Sequence, residues 1–229
     1  PIDIKPKDNF LDYIREGFDS QVILAAARAE FPFKGYLLGL VDEFEKIKKV
    51  IPNAQMKIVS EGEDIEVLKG RIDQLEPVTK KGIELSGWIT YEELIEEIIH
   101  CRVFVGMATG LLDASKNYRI SIPVKHTTEK CVASSFFYEK PLMLAEQFKT
   151  TENNRMYDLL MEALGQNFDE YKERCIASFE KIQEVYNDDS VMQQFLMCAE
   201  NNKTTVFSVA QQMIHRFYQF ANNLRFKDN

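Results

Sequence analysis

The stretch "QVILAAARAEFPFKGYLLGLVDEFEKIKKVIPN" (residues 21–53) decides how the rest of the chain is read. "QVILAAAR" is a short, continuous apolar run. That is the pattern of a parallel strand covered on both faces rather than of a half-exposed strand, which alternates. The run stops at Arg28, a loop containing Pro32 and Lys34 follows, and Gly35 opens the next segment. Leu37, Leu40, Val41, Phe44, Ile47 and Ile51 then recur at helical spacing, and Pro52-Asn53 closes that helix. The order is strand, loop with two cations, helix. Two cations bracketing the turn from strand to helix suggest an anion held between them.

The same alternation continues downstream. "AQMKIVSEG" reads as a second strand ending at Gly62, and "DIEVLKGRIDQLE" repeats the helical period through Ile65, Leu68, Ile72 and Leu75. "GIELSGWI" is a third strand. Thr90 with Glu93 three residues later forms a capping box ahead of Leu94, Ile95, Ile98 and Ile99. "RVFVGM" is the fourth strand, "GLLDASKNYR" a short helix and "ISIPV" the fifth strand. Strands alternating with helices predict an α/β, Rossmann-like, doubly wound and mostly parallel sheet, with helices on both faces. Residues 1–20, charged and carrying two prolines, read as a linker or N-terminal extension with a short helical turn. Residues 21–150 form the core, and 151–229 a helical C-terminal part of the same domain. Its helical segments are "MYDLLMEAL", "FDEYKERCIASFEKIQEVY", "SVMQQFLMCAE" and the aromatic-rich "TVFSVAQQMIHRFYQFANNL".

Composition narrows the function. The chain has 229 residues, 45% hydrophobic and 28% charged, enough for a substantial core. A net charge of −8 argues against a nucleic-acid surface, which needs a dense basic face. No stretch approaches the roughly 20 apolar residues that span a bilayer. Cys101, Cys131, Cys175 and Cys198 make no CxxC pair, and His100, His126 and His215 are dispersed, so no metal site is expected. Reduced thiols imply a cytoplasmic setting. The chain begins at Pro1 without an initiator methionine, so a piece excised from something longer is expected.

In an open parallel sheet, ligands bind outside the C-terminal ends of the strands. That edge carries Arg28, Glu30, Lys34 and Gly35 after the first strand, and Ser60, Glu61 and Gly62 after the second. Gly87 and Trp88 follow the third, and "GMATGLLDAS" (Gly106 to Ser115) the fourth. Gly106 and Gly110 would let backbone pass close to a ligand. Thr109, Gly110 and Leu111 would present N–H groups at the positive end of a helix dipole, a ready anion site. Arg28 would hold a diphosphate bidentately, Lys34 would act as a point charge, and Asp113 would accept from ribose hydroxyls. Blander readings exist: Arg28 paired with Glu30 or Glu61, and Asp113 favoured by the helix dipole alone. The dehydrogenase fingerprint GxGxxG is absent after the first strand, and there is no P-loop.

Taken in order, "ILAAARAEFPFKGYLLGLVDEF", "IPNAQMKIVSEGED" and "IELSGWITYEELIEEIIHCRVFVGMATGLLDASKNYRISIPV" resemble the nucleotide-sugar-binding half of retaining GT-B glycosyltransferases of the group 1 type. The resemblance covers about residues 20 to 125. It implies that Arg28 and Lys34-Gly35 hold the donor diphosphate and that "IVSEG" stands for the family's "IVG-x-G", with Ser60 in place of its first glycine. It also implies that "LSGWITYEEL" lies near the nucleobase and that Asp113 of "LLDAS" replaces the glutamate that binds ribose. The family's other glutamate, eight positions earlier, would fall at Val105, where a carboxylate is missing. The implied donor is a UDP- or GDP-type sugar, used without a metal or other cofactor. The implied partner is an acceptor-binding N-terminal domain outside this chain, through which a membrane surface would be met. The alternative is a non-catalytic Rossmann-like nucleotide-binding or assembly module, which Val105 and Ser60 favour.

Overall fold

The computed structural model describes residues 4–146, 154–187, 190–193 and 196–197. Five strands form one sheet: β1 (Val22–Ala26), β2 (Gln55–Val59), β3 (Ile83–Ser86), β4 (Val103–Gly106) and β5 (Ile120–Pro123). Their order is β3-β2-β1-β4-β5, and every neighbouring pair is parallel. The register sets Ile23 against Met56 on one side and Val103 on the other, so β1 is the central strand. Ile23, Leu24, Ala25, Val103, Val105, Ile120 and Ile122 are completely buried. The unbroken apolar runs in the sequence follow from this, because neither face of these strands meets water.

The helices that connect the strands are α2 (Tyr36–Val50), α3 (Ile65–Asp73), the single turn α4 (Pro77–Lys80), α5 (Tyr91–Ile99) and α6 (Thr109–Lys116). The capping box is formed: Thr90 Oγ1 accepts from Glu93 N at 3.2 Å while Thr90 N donates to a Glu93 carboxylate oxygen at 2.7 Å. On α2, a Cβ at Gly39 would lie 2.2 Å from Cys131 N, and one at Gly35 2.6 Å from Thr128 O. These two glycines, one turn apart, let the segment after β5 cross the helix backbone to backbone. Gly35 is thereby occupied by protein. The helices α7 (Met156–Gly165) and α8 (Phe168–Tyr186) match the first two helical segments read after residue 150. No helix among the described residues is long and apolar enough to cross a membrane.

The N-terminal segment differs from expectation. Phe10–Asp19 is a ten-residue helix, α1, with Ile14 completely buried and Ile4 only 2% exposed. Two buried arginines bind it. Arg102, just before β4, donates to Phe18 O (2.6 Å), Ala163 O (2.8 Å) and Gln166 O (3.0 Å), and its guanidinium lies 4.1 Å from the centre of the Tyr171 ring. Arg119, just before β5, donates to the carbonyls of Tyr13, Ile98, Ile99 and Tyr118. Residues 4–185 make one compact unit, and the helical residues 190–193 and 196–197 belong to another. Residues 194–195 and 198–200 of "SVMQQFLMCAE", and all of "TVFSVAQQMIHRFYQFANNL" with Cys198 and His215, lie outside the described residues.

Candidate functional site

The loops leaving β1 and β2 are joined into one ledge by backbone hydrogen bonds. Ala27 N donates to Val59 O (3.1 Å), Ala29 N to Glu61 O (2.9 Å) and Asp64 N to Ala29 O (3.1 Å). The Asp64 carboxylate, at the start of α3, accepts from Phe31 N at 2.6 Å. Gly62 sits in this ledge at φ +146°, and a Cβ there would lie 2.6 Å from Ala29 O. Here a glycine is required twice, for its backbone angle and for the close approach. Arg28 and Glu61 are therefore presented from a braced backbone.

Beside the ledge lies a cleft of about 250 Å³. Ala26, Ala27 and Arg28 form one side and Val59, Ser60 and Glu61 the floor, while Trp88 to Tyr91 and Leu94 close it from the β3–α5 connection. Its walls are largely apolar. Trp88 is 73% exposed, so a large aromatic surface stands ready in water at its mouth. Ser60 is 4% exposed, and its hydroxyl has no hydrogen-bond partner. A buried hydroxyl without a partner carries a desolvation cost. Of the residues expected at the site, Arg28, Ser60, Glu61 and Trp88 meet here. Arg28, Glu61, Gly62 and Trp88 also line an adjoining polar hollow with Glu30 and Glu63.

Both cations of the first loop lie near Glu30. Arg28 pairs with Glu30 at 3.6 Å, both largely exposed, as the blander reading anticipated. Lys34 donates its backbone N–H to Glu30 O at 2.7 Å, and its ammonium lies 4.8 Å from the centre of the Phe33 ring. Partial burial lowers the Lys34 pKa, and the Glu30 charge opposes that shift. Lys34 lines neither of the two hollows. An exposed pair such as Arg28–Glu30 is worth at most about 1 kcal/mol, so Glu30 is displaced from Arg28 at small cost.

The expectation at the fourth strand needs correcting. Gly106 and Gly110 do not open space for a ligand, because a Cβ on either would lie 2.7 Å from the ring of Phe104, itself 1% exposed. The positive backbone angle in this turn falls on Ala108 (φ 55°) and on neither glycine. The N–H groups are partly engaged as well: Ala108 N donates to Leu144 O (2.8 Å) and Leu111 N to Ala108 O (3.2 Å). Leu111 is completely buried, while Thr109 is exposed as the first residue of α6. Only Met107 and Ala108 connect β4 to α6, and Val105 is completely buried in β4. The cleft accordingly lies on the β2 side of β1, not between the ends of β1 and β4 where the strand order reverses.

Asp113 is the fifth residue of α6, not a member of its first turn. Its Oδ1 accepts a hydrogen bond from the Tyr91 hydroxyl at 2.9 Å. Burial raises the Asp113 pKa, with the Tyr91 hydrogen bond and Lys116 opposing the shift. Burial, then Asp113, pushes the Tyr91 phenol up to about 12. Tyr91 was not among the residues singled out from sequence. The available signal was a large aromatic at the first position of a capped helix, three residues after a tryptophan.

No protein-family model matches the chain, and no curated protein matches it by sequence. Solved structures do match. The C-terminal domain of LpcC, a group 1 family glycosyl transferase from Francisella tularensis, superposes with a TM-score of 0.59 at 13% identity, covering 82% of this chain and 100% of that one. TarM from S. aureus, solved with UDP and alpha-GlcNAc-glycerol, gives 0.57 at 15% identity over 77% of this chain. The N-terminal domain of Candida albicans trehalose-6-phosphate phosphatase gives 0.56 at 14% identity, covering 82% of this chain and 42% of that one. The match covers 35% of TarM, so this chain corresponds to about a third of that protein. Strand order, helical C-terminus and structural neighbours agree: this chain has the fold of the C-terminal domain of a GT-B glycosyltransferase.

Proposed function

We propose that this chain is the donor-binding domain of a glycosyltransferase that moves a sugar from a nucleotide-diphosphate sugar to an acceptor held by a further domain. The observation that carries the reading is the cleft at the C-terminal ends of β1 and β2: apolar walls, an exposed Trp88, the unpartnered Ser60 hydroxyl and Arg28 at its side. A flat heterocycle fits against Trp88 and the apolar wall. The diphosphate then lies toward Arg28, whose planar fork is suited to phosphate oxygens and whose present partner, Glu30, is weakly held. During transfer, negative charge grows on the leaving diphosphate, and Arg28, with Lys34 on the same loop, would oppose it electrostatically.

A second reading is favoured by β4 and its turn. With Val105 buried and only two residues joining β4 to α6, the chain offers no carboxylate from that turn to a donor sugar. A module that binds nucleotide without transferring sugar fits that feature. Calorimetric titration with UDP and with GDP tests the binding on which both readings depend. At least one should bind, and Arg28→Ala should weaken it by about 10- to 100-fold, the worth of hydrogen bonds to a charged group. Failure of the native chain to bind either nucleotide would sink the proposal. Given binding, release of sugar from a nucleotide sugar by the full-length protein separates the transferase from the non-catalytic module.

A further inference from the structure

We infer that Tyr91 is a ligand-binding residue, whose phenolic oxygen accepts a hydrogen bond from a ribose hydroxyl of the nucleotide; the inference rests on the nucleotide reading above. Three observations lead to it. Tyr91 lines the cleft, whereas Asp113 does not. The Tyr91 hydroxyl donates its single proton to Asp113 Oδ1 at 2.9 Å. The side chain stands at the first position of α5, a helix fixed by the Thr90–Glu93 capping box, on a residue that is 57% exposed. With its proton committed to Asp113, the phenol oxygen retains lone pairs and is an acceptor only. Whatever meets it from the cleft must be a donor.

A nucleoside diphosphate has donors of two kinds, the ribose hydroxyls and the N–H groups of the base. The base is matched to the apolar wall and to Trp88, and the diphosphate to Arg28. The ribose joins those two parts, so its hydroxyls are the donors nearest an acceptor set in the cleft wall. Tyr91 also serves Asp113. A carboxylate held behind the cleft lining reaches the ligand through the phenol. Ribose O–H to Tyr91 oxygen and Tyr91 O–H to Asp113 Oδ1 would then run in one direction, each bond polarising the next. The high phenol pKa, about 12, keeps the proton on Tyr91 throughout the physiological range.

The test is a cycle of two changes, one on the protein and one on the ligand. Wild type and Tyr91→Phe are titrated calorimetrically with UDP or GDP, whichever binds the wild type more tightly, and with its 2′-deoxy and 3′-deoxy forms. The phenylalanine keeps the ring and removes only the hydroxyl. Tyr91→Phe should weaken the ribonucleotide by roughly 3- to 10-fold, the range for one neutral hydrogen bond. Against one of the deoxy forms the same substitution should change nothing. An equal loss for all three ligands, or no loss for any, overturns the role given to Tyr91 while leaving nucleotide binding intact. Absence of binding by the wild type overturns both readings together. A thermal midpoint of Tyr91→Phe within about 2 °C of wild type, as expected for a surface substitution, confirms that the comparison is between folded proteins.

Discussion

Replacing Arg102 by methionine probes how the N-terminal helix is held. The arginine is 1% exposed and donates to three carbonyls from three places: Phe18 near the end of α1, Ala163 in the last turn of α7, and Gln166 just beyond it. Burial lowers its pKa, with Tyr171 the first of the groups opposing the shift, so the charged form carries a real desolvation cost. Methionine fills much of the same volume and removes that cost, but it leaves three carbonyls without a donor. At about 1–3 kcal/mol for each unsatisfied buried group, the gross loss is about 3–9 kcal/mol. Against it stands relief of a guanidinium desolvation penalty of several kcal/mol. A net loss of about 3 kcal/mol is expected, which for a chain of this size lowers the thermal midpoint by about 6–12 °C. Urea unfolding measures the stability, and hydrogen exchange locates the effect, which should appear first in the amides of α1. Arg102→Lys keeps the charge but not the fork, so it should recover only part of the loss. A methionine variant within about 1 kcal/mol of wild type, or a lysine variant equal to wild type, would refute the view that the forked geometry joins α1 to α7.

Two further substitutions act nearer the cleft. Gly62→Ala places a Cβ against Ala29 O at a backbone angle that side chains rarely adopt; it should cost at least about 2 kcal/mol in urea unfolding and, by loosening the ledge under Arg28, weaken nucleotide binding as well. Ala108→Gly should do the opposite, raising stability by about 1 kcal/mol because glycine accepts φ 55° without strain; a variant less stable than wild type would show that the turn is not strained there.

The parallel sheet was legible because strands covered on both faces have to be largely apolar, as "VILAA", "VFV" and "ISIPV" are. The cap at Thr90 was legible because its two hydrogen bonds join residues three apart. What escaped sequence reading depends on long-range partners. Nothing local announces that carbonyls from α1, α5 and α7 converge on Arg102 and Arg119. The prolines and charges of residues 1–20 concealed α1 for the same reason: Ile14 acquires a core only from other parts of the chain. Gly106 and Gly110 misled differently. A glycine that yields to a ligand and one that yields to the ring of Phe104 are identical in sequence, and only coordinates tell them apart.

The charge of the ledge bears on how such a domain would divide its affinity. Around the polar hollow stand one guanidinium, Arg28, and three carboxylates, Glu30, Glu61 and Glu63. At physiological ionic strength charges interact over about 8 Å, so a diphosphate entering there gains one cation and meets several like charges. At the tip of α6 two of the N–H groups, those of Ala108 and Leu111, are already bonded. A nucleoside would be better provided for, with the apolar wall, Trp88 and the acceptor on Tyr91. On the proposed function, the nucleoside would supply most of the binding free energy, and the diphosphate would be held loosely unless further positive charge reached it. The acceptor-binding domain of the proposed function would be a source of that charge, and firm diphosphate binding would then depend on that domain.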